Sequence, residues 1–554
     1  MTKHTFPDWY WLNEPSQAFL RNGYVPEDVD IKDHFQLMAN KLEKILKRPG
    51  YAERFMFHVT KGHYLLATPN ITNFLDERLS AISCFGSYVG DSVSDLLFTD
   101  AEIGMMSKTG GGTSAYVGDV RPKGSPISGG GFADGPDRFT LRLQDTTGWI
   151  NQSNRRGKVA VYQDVRHKDI NTHLSIMDRT SPIQEVPFAV AIDDEWMREM
   201  IEGKAEFRDI WAKIIKKKFE KGYPYLFWKD AANRAAPEIY GMTYREIHNT
   251  NLCTEIMLSN SIRESFVCCI AAMNLVHFDE WKDTDAIEIL VYALDAFLED
   301  FISKNEDEIL MQRAVNFAKN QRAIGVGFSG WHSYLQRNMI AIESFEAKMK
   351  NVTIFQLLQK QTLAASIKMA QEYGRAPIFD GTDIERRHVT LMAGAPNTSS
   401  GFIFGQWTQS IEPEYSNYYI KAVAKMKYTQ RNYFLTLLLK EKGFDTDEVW
   451  SSILQKNGSV QHLEFLDEHE KAVFKTFIEI SPMELLIQQS QRQKYVDQGI
   501  SFNTMIPFGT PAKDVSDYYI KAWELGLKSN YYQLNQNAAQ VFTRSIMSCE
   551  ACAG

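Results

Sequence analysis

Amphipathic helical stripes separated by short apolar runs recur over several hundred residues of this chain, and that alternation narrows the fold more than any other feature. Phe207, Ile210, Trp211, Ile214, Ile215 and Phe219 share one helical face that closes at Gly222. Ile287, Leu290, Val291, Leu294, Leu298 and Phe301 form a second stripe, and a third ends at Tyr373-Gly374 with Pro377 just beyond. Near the N-terminus, His34 to Lys47 places Phe35, Met38, Leu42, Ile45 and Leu46 on one face and stops at Pro49-Gly50. Such stripes are surfaces that face a core, not cofactor boxes. Between them, Val159 and Val161 after Arg156-Gly157 mark a short strand. With no internal repeat and no low-complexity linker, short strands between helices point to one large α/β body of barrel type.

Charge and composition exclude several function classes. The net charge of -8 argues against an electrostatic grip on polymeric DNA or RNA, though a small anion can still sit in a loop or at a helix N-terminus. No apolar run approaches the roughly 20 residues that span a bilayer. The opening stretch MTKHTFPDWYWLNEP has acids and aromatics where a secretory signal has an apolar core, so a cytoplasmic location with reduced thiols is expected. Six cysteines, at 84, 253, 268, 269, 549 and 552, are then more telling as catalytic or redox groups than as structural disulfides. No histidine lies near them at zinc-finger spacing, so no metal site is expected in this chain.

The chemistry gathers at a few short motifs. Asn251-Leu252-Cys253-Thr254-Glu255 sets an amide, a thiol and a carboxylate on alternate positions, which an extended segment would turn to one side. Read alone, it is a buried cysteine between polar residues. Cys549 and Cys552 form a C-x-x-C two residues from the C-terminus, where a dithiol on a tether could alternate between an internal disulfide and an external reductant. Tyr531-Tyr532 precedes that tail; a tyrosine pair is ordinarily packing material, but beside a redox-active cysteine it offers a path for an electron and a proton. Gly394-Ala395-Pro396-Asn397-Thr398-Ser399-Ser400-Gly401 presents hydroxyls and backbone N–H groups suited to phosphate, without the lysine of a Walker A loop; a plain Ser/Thr turn fits it as well.

In combination and order, these motifs resemble the catalytic large subunit of class I ribonucleotide reductases, from about Thr68 to the C-terminus. The resemblance is carried by Ile82-Ser83-Cys84, Gly90-Asp91-Ser92, Arg121 with Gly124-Ser125-Pro126-Ile127, and Asn251 to Glu255. It continues through Cys268 with Asn274-Leu275, Ala395 to Ser400, Lys528-Ser529-Asn530-Tyr531-Tyr532 and the terminal cysteines. It implies a ten-stranded α/β barrel of two half-barrels around a central finger loop. A short N-terminal helical region (1–70), a barrel with a C-terminal subdomain (71–532) and a flexible redox tail (533–554) would make up the chain. Too few residues precede Cys84 for an N-terminal ATP-cone, so none is expected.

The resemblance further implies reduction of ribonucleoside diphosphates to deoxyribonucleotides. Cys253 would carry a transient thiyl radical and abstract the 3′ hydrogen, Glu255 would take the 3′-hydroxyl proton, and Asn251 would orient the substrate. Cys84 would protonate the leaving 2′-hydroxyl, and Cys84 with Cys268 would supply two electrons and close a disulfide, leaving Cys269 structural. Cys549 and Cys552 would reopen that disulfide and be recycled by thioredoxin or glutaredoxin. Tyr531 and Tyr532 would bring the radical from a separate metal-containing small subunit, with no cofactor bound in this chain. Thr68, Ser83, Asn397, Thr398, Ser399 and Ser400 would hold the substrate. Asp91 and Arg121 would bind a deoxynucleotide or ATP effector at a homodimer interface, and Arg156-Gly157 would fall in the loop linking effector to substrate. Two alternatives stay open on sequence: a cobalamin-dependent reductase, and a nucleotide-binding homologue without the chemistry.

Overall fold

In the computed structural model, which describes residues 5–152, 155–423, 426–507 and 509–535, two sets of parallel strands face each other around a buried loop. The first set is Cys84–Tyr88 (β1), Thr113–Tyr116 (β2), Val159–Asp164 (β3), Phe188–Ile192 (β4) and Tyr225–Trp228 (β5), each parallel to the next. The second begins with Phe266–Asn274 (β6) and the parallel Ile324–Ser329 (β7). These strands are nearly continuous runs of buried residues, as expected of parallel strands covered on both faces.

Beyond β7 the ladder continues through two irregular extended segments. Met392 bridges Val326 in parallel, and Gly394 bridges Ile500 in parallel. Tyr531 N donates to Phe502 O at 3.1 Å, which brings in Ser529–Asn530 (β8) as the fifth member of this set. The two sets meet antiparallel at both seams, β1 against β6 and β8 against β5. The barrel therefore has ten strand positions in two five-membered halves among the described residues, as expected. Gly325, Gly327, Gly394 and Gly499 lie along the second half, where close backbone approach replaces side-chain packing.

The helical stripes fold as read. They become the helices Ala205–Lys221 with Gly222 left-handed at its end, Ala286–Asn305 and Phe345–Tyr373 on the outside of the barrel. The N-terminal region supplies Glu14–Arg21, Ile31–Leu46 and Tyr51–Thr60. Thr68-Pro69-Asn70, which reads as a turn, instead opens the helix Thr68–Asn73, with proline tolerated in the first turn because its missing N–H would have no partner there. A smaller apolar cluster under the hairpin of Tyr418–Val423 and Met426–Arg431 joins Phe434, Leu438, Trp450 and Ile453. Gln533–Asn535, assigned on sequence to the tail, pair in parallel with Thr504–Ile506. The rest of the expected tail, with Cys549 and Cys552, lies outside the described residues. Among the described residues no helix is long and apolar enough to cross a membrane, and no group of three His, Cys, Asp or Glu could hold a metal.

Candidate active site

The barrel is filled by the segment Asn249 to Asn260, which is neither helix nor strand yet is buried throughout. A buried loop must find partners for its backbone groups, and the surrounding strands provide them. Tyr162 of β3 donates its hydroxyl to Asn251 O at 2.9 Å, and Ser529 Oγ of β8 donates to Thr254 O at 3.1 Å. Gly499 N donates to Glu255 O at 2.8 Å, and Met257 N donates to Gln498 Oε1 at 3.2 Å.

Asn251, Cys253 and Glu255 do not lie on one side of an extended segment. The chain turns here: Thr254 N donates to Asn251 O, and Thr254 takes a positive φ of 71°. Cys253 and Glu255 both line the internal cavity, about 70 Å³ in volume. Asn251 works from behind, with Oδ1 accepting from Ile256 N at 3.0 Å and Nδ2 donating to Cys84 Sγ at 3.2 Å. The three groups do converge, through a turn and not through strand alternation.

Cys84 and Cys268 are directly opposed in the antiparallel seam between β1 and β6. Opposed residues in such a ladder have Cα atoms about 4.5–5.5 Å apart and side chains on one face, inside the range that a disulfide can bridge. Cys269, one residue on, faces the other way, towards Asn70 Nδ2 at 3.9 Å. Cys84, Cys268 and Cys269 are free thiols, whereas Cys253 is disulfide-bonded in this structure. Burial pushes the thiols of Cys84 and Cys268 well above the ordinary range, with Glu255 adding to both shifts.

Glu255 is 1 % exposed, and its Oε2 has no hydrogen-bond partner among the described residues. Burial raises its carboxyl to about 7, only partly offset by its bond with Asn251. A carboxylate of this kind is poised to exchange a proton near neutral pH. Ser83 Oγ is likewise buried without a partner, on the cavity wall.

Thr68 and Asn397 to Ser400 line the same cavity. Asn397 is left-handed (φ 54°), and Thr398–Ile403 starts a short helix directly after it. The loop's own side chains brace it: Asn397 Nδ2 donates to Phe328 O, Thr398 Oγ1 to Gln409 Oε1 and Ser400 Oγ to Leu66 O.

Tyr531 and Tyr532 follow β8, their ring centroids 4.2 Å apart. Two tyrosines that the sequence reading missed complete a cluster. Tyr225 lies 4.8 Å from Tyr531, and the Tyr223 hydroxyl is 2.9 Å from that of Tyr532. Burial above all, with Tyr223 and Glu255 adding, raises the Tyr531 phenol. Tyr223 and Tyr225 are some 300 residues away in sequence, and only the β5–β8 seam brings them here.

Asp91 and Arg121 lie outside this cavity. Each is about one-third exposed, and Arg121 N and Nε donate to the two Asp91 carboxylate oxygens at 2.9 and 2.8 Å. Arg155–Arg156 pair antiparallel with Asn151–Gln152, and Gly157 follows against Ser107 and Thr147.

Comparison with known proteins gives a consistent result. A family model described as ribonucleotide reductase, barrel domain, matches residues 82–206, 199–389 and 386–533. The chain is 31% identical over 509 residues to a putative ribonucleoside-diphosphate reductase large subunit of Frog virus 3 (isolate Goorha), covering 88% of each. It is 28% identical over 594 residues to the ribonucleoside-diphosphate reductase large subunit of Invertebrate iridescent virus 3, covering 93% of this chain and 92% of the relative. Its fold matches an Actinobacillus ureae class Id ribonucleotide reductase alpha subunit with a TM-score of 0.91 and 46% identity, over 96% of this chain and 99% of that one.

Proposed function

Since the chain belongs to the ribonucleotide reductase family, as a class I large subunit that reduces ribonucleoside diphosphates, we propose that the cavity between Cys253, Glu255 and Cys84 is where the ribose is reduced. One observation carries the reading: a redox-capable sulfur, a base held near neutrality and one sulfur of an opposed cysteine pair share that single cavity.

Cys253, as a thiol released from its disulfide, carries the radical and takes the 3′ hydrogen. Glu255 accepts the 3′-hydroxyl proton; burial suits it, because the carboxylate is a stronger base there than in water. Cys84 protonates the 2′-hydroxyl, which leaves as water. Cys84 and Cys268 then give up two electrons and form a disulfide, and Cys253 returns the abstracted hydrogen to C3′ of the product, which restores its thiyl radical. Asn251 acts through Cys84, Glu255 and the turn, orienting the groups that meet the substrate. Thr68, Ser83 and Asn397 to Ser400 hold the diphosphate and ribose. Because Thr398 and Ser400 brace the loop, backbone N–H groups there complement the hydroxyls as phosphate donors.

Tyr531 and Tyr532 bring the radical from a separate small subunit. Tyr532 is intermediate in exposure and Tyr531 is buried, with Glu255 near enough to raise its phenol. Cys549 and Cys552 reset the Cys84–Cys268 disulfide and are recycled by thioredoxin or glutaredoxin. Asp91 and Arg121 take a deoxynucleotide or ATP effector, the arginine releasing its carboxylate partner to meet phosphate. The exposed Val93 and Leu97 on the next helix support a homodimer contact beside that site.

The test is diphosphate reduction by the purified chain with candidate small subunits and a dithiol. Cys253→Ser should fold, bind effector and give no deoxynucleotide. Full turnover by that variant, or activity of the wild-type chain with adenosylcobalamin and no small subunit, would refute the reading.

A further inference from the structure

Each cysteine of the opposed pair has its own amide. Asn251 Nδ2 lies 3.2 Å from Cys84 Sγ, and Gln498 Nε2 lies 3.7 Å from Cys268 Sγ. Both amides are anchored on consecutive backbone N–H groups of the finger loop: Ile256 N donates to Asn251 Oδ1, and Met257 N donates to Gln498 Oε1. The anchoring fixes which end faces the sulfur. A backbone N–H can only donate, so the oxygen of each amide must meet it and the NH₂ must point away. For Gln498 the second NH₂ hydrogen goes to Ile324 O at 3.0 Å, which can only accept. Gln498 is fully buried, and the adjacent Gly499 is clamped on the loop, where a Cβ would stand 3.0 Å from Thr254 O.

The two sulfurs are not equally accessible. Cys84 is 8% exposed and lines the cavity, while Cys268 is fully buried and does not line it. Thiol–disulfide exchange depends on which sulfur can be reached and on how well the other is held as a departing thiolate.

We propose that Gln498 is a positioning residue for the reset of the enzyme, donating to Cys268 Sγ as it leaves, so that the reducing thiol attacks Cys84. In atoms, an incoming thiolate bonds to Cys84 Sγ, the Cys84–Cys268 bond breaks, and its electron pair stays on Cys268 Sγ under the Gln498 N–H. A second thiol then displaces the mixed disulfide; Cys84 and Cys268 end reduced and the dithiol oxidised. The inference rests on Cys84 and Cys268 being the reducing pair.

The experiment takes the full chain with its small subunit through one turnover, then adds dithiothreitol or 2-mercaptoethanol. Two variants are compared with wild type. Gln498→Glu keeps the acceptor for Met257 N and removes the donor to sulfur; Gln498→Met removes both. Gln498→Glu should give a single-turnover yield within twofold of wild type. Its disulfide re-reduction by dithiothreitol should be roughly tenfold slower, as expected from losing one hydrogen bond to a charged group, and Gln498→Met should be slowed at least as much. The 2-mercaptoethanol adduct, located by peptide mass spectrometry, should lie on Cys84 in wild type and shift partly to Cys268 in Gln498→Glu. An adduct on Cys268 in wild type, or re-reduction of both variants within twofold of wild type, overturns the role of Gln498 alone. Deoxynucleotide formed without a Cys84–Cys268 disulfide overturns the underlying assignment of the pair as well. A single-turnover loss equal to the re-reduction loss marks a merely structural role and also refutes the proposal.

Discussion

Replacing Glu255 by glutamine tests whether the cavity holds a costly charge. The carboxyl is 1 % exposed, and burial raises it from 4.5 to about 7. The folded protein therefore binds this proton more tightly than the unfolded chain does. Stability from this group falls as pH rises between about 4.5 and about 7, and above that window the ionised carboxylate costs about 3 kcal/mol. Glutamine is neutral throughout. Unfolding entropy of about 2.1 cal/mol/K per residue, over 554 residues, converts 3 kcal/mol into about 3 °C if the chain melts as one unit. Glu255→Gln should match wild type in Tm at pH 5 and exceed it by about 3 °C at pH 8, measured by scanning calorimetry. In the same variant, kcat for diphosphate reduction should fall at least about 100-fold, the usual contribution of a general base. The wild-type rate should rise with pH through about 7 as the base ionises. A Tm difference that is constant from pH 5 to pH 8 would refute the buried-charge argument, and retained activity would refute the base assignment.

Three further outcomes follow from the geometry. Cys268→Ser should form no deoxynucleotide even in a first turnover, because Cys84 alone cannot supply two electrons by closing a disulfide, whereas Cys269→Ser, whose sulfur faces Asn70, should keep steady-state activity within about twofold; equal losses would contradict the opposed register. Gly499→Ala would place a methyl group 3.0 Å from Thr254 O and 3.1 Å from Glu255 O, so it should cost about 1–3 kcal/mol by urea unfolding and lower kcat by disturbing the turn; a neutral effect on both would show that the loop is not clamped there. Tyr531→Phe and Tyr532→Phe should each abolish radical-dependent turnover while leaving effector binding, read by calorimetry, unchanged; activity in either variant would remove it from the path.

The helices were the most legible part of the sequence, because an apolar stripe of period 3.6 is local and the stripes at 207–219 and 287–301 become helices at those places. The barrel was legible only as a type. Its positions at Met392 and Ile500 carry no strand pattern, since single bridges and glycine contacts hold them in place of side-chain ladders. Asn251, Cys253 and Glu255 stood out as a spacing, but strand alternation was the wrong reason. Thr254 in the left-handed region makes the turn, and nothing in a threonine announces that. The partnership of Cys84 with Cys268 depends on an antiparallel seam joining residues 184 apart. Gln498 and Tyr223 had no sequence signal at all, for they matter only through what the fold sets beside them.

In the proposed mechanism one cavity joins the radical sulfur, the base and Cys84, and Cys268 stands opposite Cys84 in the seam behind it. Its most direct test is disulfide mapping after a single turnover on a ribonucleoside diphosphate, with external reductant withheld and the reaction quenched in acid. The account predicts one Cys84–Cys268 disulfide for each deoxynucleotide formed, with Cys269 still a thiol. Deoxynucleotide formed while Cys84 and Cys268 both remain reduced, or a disulfide that includes Cys269, would contradict it.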